Sequence, residues 1–97
     1  MKGRTPTKAE KEWMNRISEL GCIVCRNEFS IYSPACIHHI DGKTKEGTHF
    51  KTLPLCPGHH QHGGYGVALH AGRAEWEKKY GTQADLLKQV QGLINDY

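Results

Sequence analysis

An α+β fold is predicted for this 97-residue chain on three observations. Apolar residues recur at helical spacing near both ends. Two short strand-like segments flank a polar loop in the middle. Two pairs of metal-type side chains bracket those strands. The length leaves room for one domain, residues 1–97, with 1–7 expected as a flexible basic lead.

A chain this short buries little apolar surface in proportion, so its core alone supplies a thin margin of stability. Such domains commonly recruit disulfides or a structural metal, and the residues available here are four Cys and seven His. A disulfide-built secreted domain normally follows an apolar signal segment. The start, MKGRTPTKAEKEW, is polar and charged, and no apolar run approaches the length of a membrane span. The cysteines are therefore expected to be reduced, in a cytoplasm, and available as thiolates for metal, with no membrane partner. Net charge is +3, and Lys2, Arg4, Lys8, Lys11 and Arg16 outweigh Glu10 and Glu12 in the first segment. That excess suits a polyanion, and it equally suits a solvated helix face.

Each element has its own signal. Thr7-Lys8-Ala9-Glu10 fits a capping box, Trp13, Met14, Ile17 and Leu20 follow at helical spacing, and Gly21 stands where a helix-ending glycine belongs. A first helix is expected from Lys8 to Leu20, followed by turn-like chain from Arg26 to Pro34. Ala35 to Ile40 reads as a strand, with Cys36, His38 and Ile40 on one face and Ile37 and His39 on the other. Asp41-Gly42 marks a reversal, and Phe50 to Leu55 returns as a second strand. Cys56-Pro57-Gly58-His59-His60 opens a short helix with Pro57 in its first turn. Arg73 to Tyr80 is helical, with Trp76 and Tyr80 stacked four apart. Gly81 ends it, and Thr82 to Asp85 opens a last helix carrying Leu86, Leu87, Val90, Leu93 and Ile94.

Cys22-x-x-Cys25 and Cys56-x-x-His59 are half-sites of the kind that bind tetrahedral zinc. A two-residue spacer lets both side chains of a pair reach one ion at about 2.0–2.3 Å across a tight turn. Thiolates with imidazole favour zinc over hard cations, which want oxygen. A zinc here would tie the end of the first helix to the segment after the second strand. Cys36, just inside a strand, is expected to pack rather than ligate, with replacement of His59 as its alternative role.

A structural zinc leaves His38-His39-Ile40-Asp41-Gly42, His60 and His62 without a task. Adjacent strand residues point to opposite faces, so His38 and His39 suit two jobs, one holding a metal and one facing an attacking water. Phosphodiester hydrolysis needs both. A divalent ion (Mg²⁺, Mn²⁺ or Zn²⁺) offsets charge on the transition state and on the leaving 3′ oxygen. A neutral imidazole takes the proton of the water. His60 is placed to supply a second metal ligand.

The order Cys-x-x-Cys, His-His-Ile on a strand, then Leu-Cys-x-x-(Cys/His)-His resembles that of the HNH endonucleases. Their shared core is two antiparallel strands and a helix around one catalytic metal. The resemblance implies a small zinc-stapled ββα-metal core with flanking N- and C-terminal helices. It further implies that His38 and His60 bind the metal and that His39 is the general base. Cys22, Cys25, Cys56 and His59 match the zinc half-sites, with His standing where Cys is usual. Beyond this, IHHIDGKTK, LPLCPGHHQ and EKKYGTQADLL are similar to stretches of the phage recombination-enhancement (Ref) nucleases, and the likeness runs over nearly the whole chain from Cys22. Those are HNH-related enzymes directed by a RecA-type recombinase. The implied substrate is DNA held in a recombinase filament, and the implied setting is the cytoplasm of a bacterial host carrying a phage or prophage.

This chain departs from the HNH pattern in one respect. No Asn lies between Asn27 and Asn95, so the middle residue of the motif is missing, and His49 or Lys51 stands in its neighbourhood. Asp41, His62 and His70 compete for the third metal position, with Asp41 favoured as an active-site residue because it directly follows the His-His-Ile strand. Lys43, Lys45 and Lys51 flank the site as candidate phosphate contacts, which position DNA without reading sequence. Two rival readings remain: a non-catalytic zinc-stabilised module that binds DNA or docks on a protein, and a structural domain that holds two zincs.

Overall fold

The computed structural model describes residues 5–42, 44–64 and 67–95. Lys43 lies outside the described residues, as do residues 1–4 of the basic lead, with Lys2 and Arg4, and Gly66 of the glycine-rich stretch.

Thr7 opens helix α1 (Lys8–Leu20) through the expected capping box. Its hydroxyl accepts from the Glu10 amide at 3.2 Å, and the Glu10 carboxylate accepts from the Thr7 amide at 2.8 Å. Two orphan donors of the first turn are satisfied reciprocally. Gly21 ends the helix at φ +77°, and a Cβ there would meet the Ser33 carbonyl oxygen at 2.7 Å and the Tyr32 ring at 2.8 Å. Only glycine suits that corner, where the Cys22 amide donates to the Ser33 carbonyl.

The chain then re-enters helix, which the turn-like composition had not suggested. Helix α2 (Ile23–Phe29) starts at Cys22, whose sulfur accepts the Cys25 amide at 3.4 Å, a capping role normally given to Ser or Asp. Its first turn carries Ile23, Val24 and Cys25 into the core, and Ser30, in the left-handed region at φ 54°, stops it.

Strands β1 (Cys36–His39) and β2 (Thr52–Leu55) form an antiparallel pair in the register Cys36↔Leu55, Ile37↔Pro54, His38↔Leu53 and His39↔Thr52. Both are shorter than the sequence suggested. Ile40 already belongs to the turn, and Thr48–Phe50 forms a 3₁₀ turn in place of the start of the second strand. All four residues of β2 are buried, because helices pack around it. The Trp13 indole donates to the Thr52 hydroxyl at 3.0 Å, tying α1 to this strand.

After the hairpin the chain makes a five-residue π turn, Gly58–His62, with Pro57 in helical conformation before it. Helices α3 (Arg73–Tyr80) and α4 (Gln83–Asn95) follow, the first at the expected boundaries. Ile17, Leu53, Leu55, Trp76, Leu86, Val90 and Ile94 make the core with the first turn of α2. Trp76 and Tyr80 meet edge-on with centroids 5.4 Å apart. Arg16 donates to the Ile94 carbonyl at 3.3 Å, serving an orphan acceptor at the end of α4. The result is a small α+β domain with a two-stranded sheet inside helices, as the sequence predicted at that level. No helix among the described residues is long and apolar enough to cross a membrane.

Candidate metal centres

Two clusters of donor atoms lie on either side of the π turn. The first gathers Cys22, from the α1–α2 corner, Cys25 from α2, Cys56 from the end of β2, and His59 from the π turn. His59 Nδ1 stands 3.6 Å from Cys22 Sγ, 3.5 Å from Cys25 Sγ and 3.1 Å from Cys56 Sγ, and the Cys25 and Cys56 sulfurs are 3.8 Å apart. Bond lengths typical of zinc give a tetrahedron with edges of roughly 3.5–3.8 Å between sulfur and sulfur or sulfur and nitrogen. Three of these four separations match such edges, and only the Cys56–His59 edge is tighter. Three thiols and one imidazole nitrogen facing one another also make poor hydrogen-bond partners. The donor set and its spacing fit a structural zinc, with no need for Cys36.

Cys22, Cys25 and His59 are buried and Cys56 is half-buried. Cys22 is 1% exposed, and burial pushes its thiol up to about 12. A divalent cation is the partner that would offset the cost of a buried thiolate. Burial first, and then the charge of Lys79, holds His59 below the ordinary histidine range, which favours the neutral imidazole a metal needs. Its ring packs on the edge of Tyr80 at 5.3 Å, and its carbonyl accepts from the Trp76 indole at 3.1 Å.

The second cluster gathers His38 from β1, His60 from the π turn and His70 from the 3₁₀ turn Leu69–Ala71, their donor atoms within 4.8 Å of one another. His60 Nε2 lies 3.2 Å from His38 Nδ1 and 3.0 Å from His70 Nε2. A neutral ring has one proton to give, so His60 Nε2 cannot donate to both neighbours. Three converging imidazole nitrogens are better satisfied by a cation between them. Burial first, then the neighbouring His38, His70 and His62, pushes His60 down to about 4. Burial also lowers His38. Both shifts favour the neutral imidazole that ligation requires.

Partners surround these rings. Gln83 Oε1 lies 2.7 Å from His38 Nε2. Cys36 Sγ lies 3.2 Å from His60 Nδ1 while its thiol donates to the Leu55 carbonyl at 3.1 Å. Cys36 is thus exposed beside the second cluster, where the sequence had suggested packing in a strand. His39 points from β1 the other way, with its Nε2 2.9 Å from Nδ1 of His49, itself 5% exposed. His38, His39, His60 and His70 nevertheless share one cleft of about 230 Å³, completed by Ile37, Gly42 and Gln61.

The other candidate residues sit around this cleft. Of the three contenders for the third position, His70 is the one whose donor atom joins His38 and His60. His62 is exposed at the end of the π turn and belongs to neither donor cluster among the described residues. Asp41 is exposed and pairs with Lys51 at 3.9 Å, a solvent-screened contact worth little to stability. Lys45 is exposed on the loop between the strands. The sequence does not single out Gln83, and it offers His49 only as a neighbour of the missing motif Asn, not as the partner of His39. Neither carries a spacing signal, since each reaches its histidine only through the tertiary fold.

A family model described as recombination enhancement, RecA-dependent nuclease, matches residues 6–95.

Proposed function

Because the chain belongs to the recombination enhancement, RecA-dependent nuclease family, we propose that it is a metal-dependent DNA endonuclease of the HNH type, with β1, β2 and the π turn as its ββα-metal core. The observation that carries this reading is the convergence of His38, His60 and His70 in a cleft that His39 also lines. In this reading the working unit is a single domain spanning residues 1–97, with 1–7 as a basic lead. It acts in the cytoplasm of a bacterium carrying a phage or prophage, on DNA directed to it by a RecA-type filament.

Cys22, Cys25, Cys56 and His59 hold a zinc that fixes the fold. His38, His60 and His70 hold a second divalent ion. Three protein donors are the pattern of sites that keep a position open for substrate. That ion supplies charge neutralisation for the scissile phosphate and the leaving oxygen. His39 accepts the proton of a water whose oxygen attacks phosphorus. The bond from phosphorus to the 3′ oxygen breaks, and that oxygen takes a proton from solvent. The bound proton leaves His39 to solvent before the next turnover. Asp41 stands on the turn beside Gly42, and we assign it to the active site as well. Lys43, Lys45 and Lys51 contact phosphates, and His62, two residues beyond His60, stands by as a further ligand.

A plasmid-nicking assay with Mg²⁺ or Mn²⁺, with and without a RecA-type filament, tests this by comparing the chain with His39→Ala. Cleavage that disappears in the variant while its zinc and fold survive is the expected result. No cleavage by either protein under any of these conditions would favour a non-catalytic zinc module. Equal cleavage by both would remove His39 from the mechanism.

A further inference from the structure

Gln83 is the first residue of α4 and 4% exposed, and its carboxamide oxygen meets His38 of β1. The first turn is served by others. The Gln83 amide donates to Glu77 Oε2 at 2.9 Å, and the Asp85 amide donates to the Thr82 hydroxyl at 3.1 Å. Glu77 is held in turn by Arg73, whose Nε donates to its other oxygen at 3.1 Å. The α3–α4 corner therefore fixes the Gln83 backbone and leaves its carboxamide for another task. Its Oε1 lies 2.7 Å from His38 Nε2, on the side of the ring away from His60.

We propose that Gln83 is a positioning residue for the second metal centre. It accepts the Nε2 proton of His38 and so presents the Nδ1 lone pair to the ion. This rests on the reading that His38, His60 and His70 hold a cation. A carboxamide oxygen cannot donate, so while Oε1 faces the ring the proton of neutral His38 sits on Nε2. The contact also fixes the ring plane. Outer partners of this type, when removed, typically cost on the order of 10–100-fold in metal affinity.

The test is a Co²⁺ titration, followed by visible absorption, of protein whose cysteine site is already filled with zinc. Gln83→Met keeps the length of the side chain and removes the acceptor, whereas Gln83→Glu keeps an acceptor oxygen. Met is expected to weaken Co²⁺ on the order of 10–100-fold, and Glu to bind at least as tightly as the parent. Equal affinity for parent and Met, or equal losses in Met and Glu, would overturn the proposal. No Co²⁺ binding by the parent would remove the three-histidine site itself, and this inference with it. A second measurement needs no variant. Nitrogen NMR of His38 in the zinc-filled parent, before cobalt, is expected to find the proton on Nε2, and a proton on Nδ1 would overturn the proposal.

Discussion

His59 and His60 are neighbours in the chain and belong to different donor clusters. The π turn sends His59 Nδ1 toward three sulfurs and His60 Nε2 toward two imidazoles. One peptide bond therefore joins the two donor clusters, and with a zinc in the first their dependence on each other is expected to be asymmetric. Structural zinc in small domains binds with an apparent ~10–16 kcal/mol, comparable with the ~5–15 kcal/mol total stability of a domain. Cys25→Ala or a strong chelator is expected to unfold the chain and abolish both sites. His38→Ala is expected to leave one zinc and a folded protein. Metal analysis together with circular dichroism separates the cases, and a folded chelated protein would contradict the staple.

Trp76 is fully buried and donates its indole proton to the carbonyl of His59, a member of the first donor cluster. Phe fills most of the same space but cannot donate, so the carbonyl loses its partner. A buried unsatisfied acceptor costs about 1–3 kcal/mol. Trp76→Phe is expected to lower the unfolding free energy by that amount, seen as a lower urea midpoint at unchanged slope, with zinc retained. Trp76→Ala adds a cavity and is expected to cost about 3–5 kcal/mol. A Phe variant as stable as the parent would mean the indole contact contributes nothing to the zinc-side turn.

These dependencies explain how legible the chain was. Helices α1 and α3 were readable at their observed limits because capping and periodicity are local: Thr7 and Glu10 are three residues apart, and Trp76 and Tyr80 four. The first donor cluster is readable because each half-site is a local spacing. Helix α2 was hidden because its cap is a cysteine sulfur, a type better known as a ligand. The second site was legible only as far as His38 and His60. His70 was one contender among three, because the glycine-rich stretch before it gives no register, and only the 3₁₀ turn Leu69–Ala71 brings it in. Gln83 and His49 act at a distance along the chain, 45 and 10 residues from their histidines, so no local pattern announces them.

The donor set of the second centre predicts its metal preference. Its three clustered donors are imidazole nitrogens. Mg²⁺ prefers oxygen ligands and dehydrates reluctantly, whereas Co²⁺ and Zn²⁺ suit imidazole and stand higher in the divalent affinity order. Calorimetry on the zinc-stapled protein is expected to give an affinity for Co²⁺ or Zn²⁺ at least a hundredfold (~10²) above that for Mg²⁺. Comparable affinities would mean that oxygen donors, from a carboxylate or from DNA, complete the site.

Two glycines offer opposite outcomes from the same substitution. Gly63 closes the π turn, its amide donating to the Gly58 carbonyl at 2.9 Å. Its φ of −83° is open to any residue, so the constraint is space. A Cβ there would overlap the Gly58 carbonyl oxygen and come within 2.7 Å of Val67 Cγ1. Because the closer obstacle is backbone, relief requires opening the turn that carries both His59 and His60. Gly63→Ala is expected to cost about 1–3 kcal/mol, as overpacking does, and to weaken Co²⁺ at the second centre. Gly92, by contrast, lies within α4 with nothing within 4 Å of an added Cβ. Alanine there removes unfolded-state freedom from a helix position and is expected to stabilise by about 0.5–1 kcal/mol. Thermal melts of the two variants should therefore move in opposite directions. A neutral Gly63→Ala would show that the π turn yields without cost, and the coupling of the two centres through it would fail with it.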